Sequence, residues 1–115
     1  MPTSEREFKR GDVLVVPFPY PDRTAAKRRP ALVVSSDEFN ARSGYLWVAM
    51  ITSVVQNPLP DDIVLDHEKA GLHVASVARV TKIATIEADR VIRIAGKIDG
   101  KTRKDVRKAL AEIID

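Results

Sequence analysis

Arg28 and Arg29 stand immediately before Pro30, and Thr52 and Ser53 close an apolar run that ends at Ile51. A guanidinium binds two phosphate oxygens at once through its planar fork, and a neighbouring hydroxyl can orient the same phosphate through a weaker hydrogen bond. An arginine pair entering one strand and a hydroxyl pair leaving the next can lie at the same end of a sheet, where Lys27 adds a further cation. That combination is the chemistry of a phosphate site. Taken alone, the same residue types carry a plainer reading, of solvated arginines and a strand threonine with no role beyond packing.

The elements that would hold these residues are set by the apolar pattern. Gly11-Asp12 introduces VLVVPF, a first strand of about five residues. Pro17, Pro19 and Pro21 alternate with Phe18 and Tyr20, and prolines cannot supply ladder N–H groups, so strand pairing is expected to end there. Phe18 and Tyr20 read as a cover over one end of the core, with stacking on a nucleic-acid base as the sharper alternative. Ala31–Val34 and Leu46–Ile51 are two further strands, separated at Asp37–Gly44 by turn or short-helix residues. DIVL at 62–65 is a short strand, His67–Gly71 a helical turn closed by glycine, and Ala75–Ile86 a long extended segment. Period-2 alternation there puts Arg79 and Thr81 on one face, Val80 and Lys82 on the other. A last strand spans Val91–Ile98 with Gly96 marking a bulge, and Asp99 caps a helix over Gly100–Ile114 with an apolar stripe at Val106, Ala109, Leu110, Ile113 and Ile114.

The 115 residues suit one domain, 11–115, behind a flexible start at 1–10. The absence of cysteine excludes disulfides and fits a reducing cytoplasm; no apolar run approaches the ~20 residues of a membrane helix, and the charged N-terminus does not read as a signal peptide. Net charge is +3, with acidic residues gathered at Asp37, Glu38 and 61–68, and basic ones at Lys27–Arg29 and from Arg79 to Lys108. Such segregation suits a polyanion-facing surface, although solvated charge is the commoner origin.

Several of these segments, in order and at similar spacing from Gly11 onward, resemble the MazF/PemK/Kid family of toxin endoribonucleases from bacterial toxin–antitoxin pairs. They are GDVLVVPF at 11–18, KRRPALVVS at 27–35, AMITS at 49–53, SVARVTKIATIE at 76–87, the glycine at 71 and IAGKID ahead of the amphipathic helix. The resemblance implies a mainly β fold with a C-terminal helix, a compact SH3-like barrel that forms a homodimer and cleaves single-stranded RNA without metal or other cofactor. It implies that Arg29 and Thr52 act at the scissile phosphate, with Arg79 as a further catalytic arginine. Arg28, Ser53, Thr81, Lys82, Phe18 and Lys27 are the accompanying substrate-binding candidates. Some relatives carry an acidic residue, usable as general base, where this chain has Thr81. The resemblance also implies a cognate antitoxin, expected to lay an acidic segment into a groove bordered by the connection at 19–26 and the second subunit.

Cleavage of this kind needs a group to remove the 2′-OH proton, charge to stabilise the phosphorane and a proton for the leaving 5′-oxygen. Arg29 suits the second task and Thr52 the orientation of the phosphate or the 2′-OH, while Arg79 holds phosphate more readily than it gives up a proton. Histidine is a residue type suited to acid–base work, yet His67 and His73 both fall in one turn-rich connection and read as surface histidines. Asp66, His67 and Glu68 lack the spacing of a metal site. Two rivals stand beside a nuclease: a plain nucleic-acid-binding barrel, and a gyrase-poisoning toxin of the same shape. The latter depends on aromatic residues near the end of the C-terminal helix, and this helix has none.

Overall fold

The computed structural model describes residues 7–18, 27–53 and 58–114. Its elements are β1 (Asp12–Phe18), β2 (Lys27–Val33), α1 (Asp37–Ser43), β3 (Tyr45–Ser53), β4 (Asp62–Val64), β5 (Ser76–Glu87), a 3₁₀ turn (Ala88–Arg90), β6 (Arg93–Lys97) and α2 (Gly100–Ile114). The strands form one antiparallel sheet in the order β4-β5-β3-β2-β1-β6. The mainly β fold with a C-terminal helix is as the sequence indicates. The sheet is not a closed barrel, since β4 and β6 are its two edges and do not pair with each other.

Both faces of the sheet are buried, which explains why its central strands read as unbroken apolar runs. Val13, Leu32, Ala49, Ile51, Ala78 and Val80 pack on one face with Leu65, Ala70, Ile98 and, from α2, Val106 and Ala109. Leu14, Val16, Ala31, Val33, Leu46, Val48 and Ile86 pack on the other with Phe8 and Val91. Consecutive residues of β2 thus serve different clusters, and each fully buried Leu or Val contributes roughly 1.5–3 kcal/mol. Asn40 ties the second cluster to its surroundings, donating from Nδ2 to the Phe8 carbonyl at 3.2 Å and pairing with the Ser35 hydroxyl. The Ser35 Oγ in turn accepts from the Trp47 N–H at 3.0 Å.

The helix ends are set by local chemistry. Ser36 caps α1 by accepting from the Phe39 N–H at 3.1 Å, and Gly44 ends it in the left-handed region at φ 76°. Asp99 caps α2, accepting from the Thr102 N–H at 2.8 Å. That donor holds the Asp99 carboxyl below its usual range.

Three departures from the sequence pattern have physical causes. Pairing does not stop before Pro17: Pro17 sits opposite Arg28 and Phe18 opposite Lys27, extending the ladder to the start of β2. The residues at 1–6 and 19–26, including Tyr20 and the connection expected to border a groove, lie outside the described residues. Alternation along β5 fails because Ile83 faces Ala49 while Arg79 faces Met50, leaving Val80, Thr81 and Lys82 without partners on β3. In that bulge Val80 turns into the core and both Thr81 and Lys82 are exposed. Strand β6 is shorter than Val91–Ile98, because the 3₁₀ turn occupies its approach; it does carry a register shift beside Gly96, as the glycine suggested.

Gly71 closes the 66–71 turn at φ 74°, and Leu72 donates from its N–H to the His67 carbonyl at 2.8 Å. A Cβ added to Gly71 would lie 2.0 Å from the Ala95 carbonyl oxygen, and one on Gly96 would lie 2.5 Å from the Ala70 carbonyl carbon. The turn therefore packs backbone to backbone on β6. Gly71→Ala is expected to lower unfolding free energy by roughly 2–5 kcal/mol, the sum of left-handed strain and overpacking. Gly44→Ala, with the same backbone conformation but nothing within 4 Å of the added carbon, should cost only about 1 kcal/mol. Urea denaturation of the two variants checks the difference.

Candidate phosphate-binding cleft

The last ladder pair between β2 and β3 joins Ala31 to Met50, and Pro30 has no N–H with which to continue it. Two steps further in the same register, Arg29 comes level with Thr52, and Arg28 with Ser53. The two strands open there into a cleft of about 400 Å³. Its floor includes Pro30, Val15 and Ile51; its polar lining comprises Arg28, Arg29, Thr52, Ser53 and Ser76. Opposite walls come from β6, through Arg93, and from the Gly71–Val74 segment, which brings in His73.

The electrostatics of the cleft are one-sided. Arg28, Arg29 and Arg93 line it, and among the described residues no aspartate or glutamate does. Arg29 is half-buried with its Nε shielded from solvent, whereas Arg28 and Arg93 are exposed. Thr52 is half-buried and Ser53 exposed. Arginine forks and hydroxyls placed this way can hold a phosphodiester through charge-assisted hydrogen bonds. No group of three or more His, Asp or Glu side chains among the described residues is placed to hold a metal ion.

The structure therefore brings together Arg28, Arg29, Thr52 and Ser53, and separates them from the β5 candidates. Arg79 forms a two-point ion pair with Asp62 of β4, Nε to Oδ1 at 3.1 Å and Nη2 to Oδ2 at 2.9 Å, and does not line the cleft. Thr81 and Lys82 sit in the β5 bulge, also outside it. Lys27 is exposed at the start of β2, one residue beyond the lining, and the side chain of Phe18 is outside the described residues.

The family model for the PemK-like, MazF-like toxin of type II toxin–antitoxin systems matches residues 9–114. The chain belongs to this MazF/PemK toxin family. Endoribonuclease MazF9 of Mycobacterium tuberculosis is 28% identical over 114 residues, spanning 94% of this chain and 97% of the relative. Endoribonuclease MazF6 of the same organism is 32% identical over 92 residues, 78% of this chain and 81% of the relative. Among solved structures, MazF of Deinococcus radiodurans superposes with a TM-score of 0.77 at 20% identity, covering 96% of this chain and 98% of that one. A mycobacterial endoribonuclease in complex with its cognate antitoxin superposes at 0.72, also at 20% identity, covering 93% and 92%. At that identity the two structures establish the shared fold.

Two lining residues of this MazF/PemK chain are not evident from the sequence. Arg93 is one basic residue among many there, and only the Val15–Arg93 pairing of β1 with β6 brings it to the cleft. His73 reads as a surface histidine, and it is exposed; the docking of Gly71 on β6, which turns the next residues to the cleft, has no local signature.

The Asp62–Arg79 pair gives a stability prediction. The Asp62 side chain is 1% exposed and that of Arg79 25%. The Arg79 hydrogen bond, acting against the cost of burial, holds the Asp62 carboxyl below its ordinary value of 3.8. Stabilisation from this lowered carboxyl is fully present above that value and is lost as pH falls through the lower, folded-state value. Asp62→Asn is expected to destabilise at pH 7 by on the order of 1 kcal/mol, with the gap from the wild type closing as pH falls below the ordinary aspartate value. Thermal melts across the acid range measure it.

Proposed function

We propose that the chain is the toxin of a type II pair and acts as an endoribonuclease on single-stranded RNA, without a metal ion. The observation that carries this reading is the convergence of Arg29 and Thr52, from different strands, on one cationic cleft with Arg28, Ser53 and Arg93 around them. The relatives MazF9 and MazF6, both endoribonucleases, support it. In this reading the 2′-oxygen attacks phosphorus, the bond to the 5′-oxygen breaks, and the products carry a cyclic phosphate and a 5′-hydroxyl. Arg29 stabilises charge on the non-bridging oxygens as the phosphorane forms, and Thr52 donates to the same phosphate. Arg28, Ser53 and Arg93 hold the neighbouring backbone of the RNA. Arg79 stays outside the reaction and fastens β4 to β5. A cleft lined by arginines and, among the described residues, by no carboxylate suits direct contact with phosphate oxygens, and it equally suits an acidic antitoxin segment as inhibitor. Structures of family members with their antitoxins support such a partner.

We further propose that the toxin is a homodimer formed through an apolar groove of about 470 Å³ between α1, β3 and the end of α2. Phe39, Leu110, Trp47, Ile83 and Ile114 line it, with Trp47 51%, Ile83 40% and Ile114 80% exposed. A contiguous apolar surface of this kind marks an association site. Among the described residues, no helix is long and apolar enough to cross a membrane.

Incubation with a long single-stranded RNA in EDTA tests the activity. Wild-type protein should give discrete fragments with 5′-hydroxyl ends. Arg29→Ala should slow cleavage by about 10²–10³-fold, and Thr52→Ala should impair cleavage while RNA binding persists. Intact RNA with the wild type, or equal cleavage by the Arg29 variant, would overturn this reading. Sedimentation of Trp47→Asp, expected to run as a monomer where the wild type runs as a dimer, tests the assembly.

A further inference from the structure

We propose that His73 is the proton acceptor for the 2′-hydroxyl in this cleft, an assignment that rests on the endoribonuclease reading. The other side chains of the lining are unsuited to the task. Arg28 and Arg29 from β2 and Arg93 from β6 are guanidiniums, which have donors and no accepting lone pair. Thr52 and Ser53 from β3, and Ser76 from β5, present hydroxyls, which hold their own proton far too tightly to take another's. No carboxylate lines the cleft among the described residues. Histidine is the one side chain type present that carries a free lone pair near neutral pH and can release the proton again.

The candidates outside the cleft do not compete. Thr81, at the position where some relatives carry an acid, is exposed in the β5 bulge and has no acidic group to offer. Asp62 is engaged by Arg79 through both carboxylate oxygens. His67 lies earlier in the same connection, where its carbonyl accepts from the Leu72 N–H, and it does not line the cleft.

The placement of His73 is built into the fold. Gly71, held against the Ala95 carbonyl, fixes where the chain emerges from its turn, and Ser76 pairs with Ser53 only three residues beyond His73. The imidazole therefore hangs on a short tether between two anchored points. It is also exposed, so a proton taken from RNA can pass to solvent.

Atoms and protons balance in the step. A ring nitrogen of His73 takes the proton from the 2′-hydroxyl as the O2′–P bond forms and the P–O5′ bond breaks. The 5′-oxygen leaves with a proton drawn from water, and the imidazolium returns its proton to the hydroxide so formed. No oxidant, reductant or further co-reactant is consumed.

Single-turnover cleavage measured from about pH 5 to 9, spanning the histidine range, tests the assignment with wild type, His73→Gln and His73→Ala. RNA affinity is read in parallel by fluorescence anisotropy on an uncleavable 2′-deoxy oligonucleotide. The wild-type rate should rise about tenfold per pH unit on its acidic side and level off within the histidine range. His73→Gln should lose that rise and fall by about 10²–10³-fold, with affinity within about twofold of wild type. Added imidazole should restore part of the rate to His73→Ala. Retention of rate and pH profile by His73→Gln would overturn the proposal, as would a loss of affinity that accounts for the whole rate loss. A wild type that leaves RNA intact removes the endoribonuclease reading itself, a result distinct from an active wild type with an equally active variant.

Discussion

The contact between the 66–71 turn and β6 is made by backbone alone. The Gly71 α-carbon faces the Ala95 carbonyl and Gly96 faces the Ala70 carbonyl, at separations that leave no room for a side chain on either glycine. Ala70 and Ala95 both pack into or against the α2-side core, so the contact joins an edge strand, a turn and the hydrophobic interior at one point. The chain beyond Gly71 then has little choice of path, since β5 must begin at Ser76 opposite Ser53. One wall of the cleft is thereby a consequence of close packing some distance from any phosphate-binding group.

The other walls depend on strand register. Pro30 ends the β2–β3 ladder one step before the arginines, and the strands part where Arg29 and Thr52 stand level. The same proline that removes a hydrogen bond from the sheet leaves a gap lined by cations. Two carboxylates elsewhere are answered within the fold: Asp62 engages Arg79, and Asp99 accepts from the first turn of α2. Three arginines, with no carboxylate among the described residues of the lining, are concentrated where the strands diverge, which is the arrangement an anionic polymer would find by electrostatic steering.

Much of this was legible in the sequence because it was encoded locally. Asp99 at the start of α2, Gly71 as the end of a turn, the two apolar runs and the buried part of the α2 stripe, Val106 and Ala109, each depend on a few adjacent residues. The Arg29–Thr52 convergence needed only the assumption that consecutive strands pair antiparallel. Features set by long-range register could not be read. The bulge after Arg79 interrupts a segment whose alternation looked continuous, and it sends Thr81 and Lys82 to solvent. Arg79 finds Asp62 across the β4–β5 pairing, 17 residues away, with no local sign that the two would meet. Arg93 and His73 reach the cleft through contacts with β1 and β6 that no short-range pattern reports.

The chain contains a single tryptophan, and it stands in the apolar groove and not in the core. Trp47 meets Phe39 edge-on at 5.9 Å between ring centroids, with half of its surface open to water. Its indole emission is therefore a native optical gauge of that groove, separate from the cleft at the far end of β3. Covering the groove would shift the emission to shorter wavelength without any label being introduced. Association at that surface can thus be followed in the unmodified protein, apart from whatever occupies the cleft.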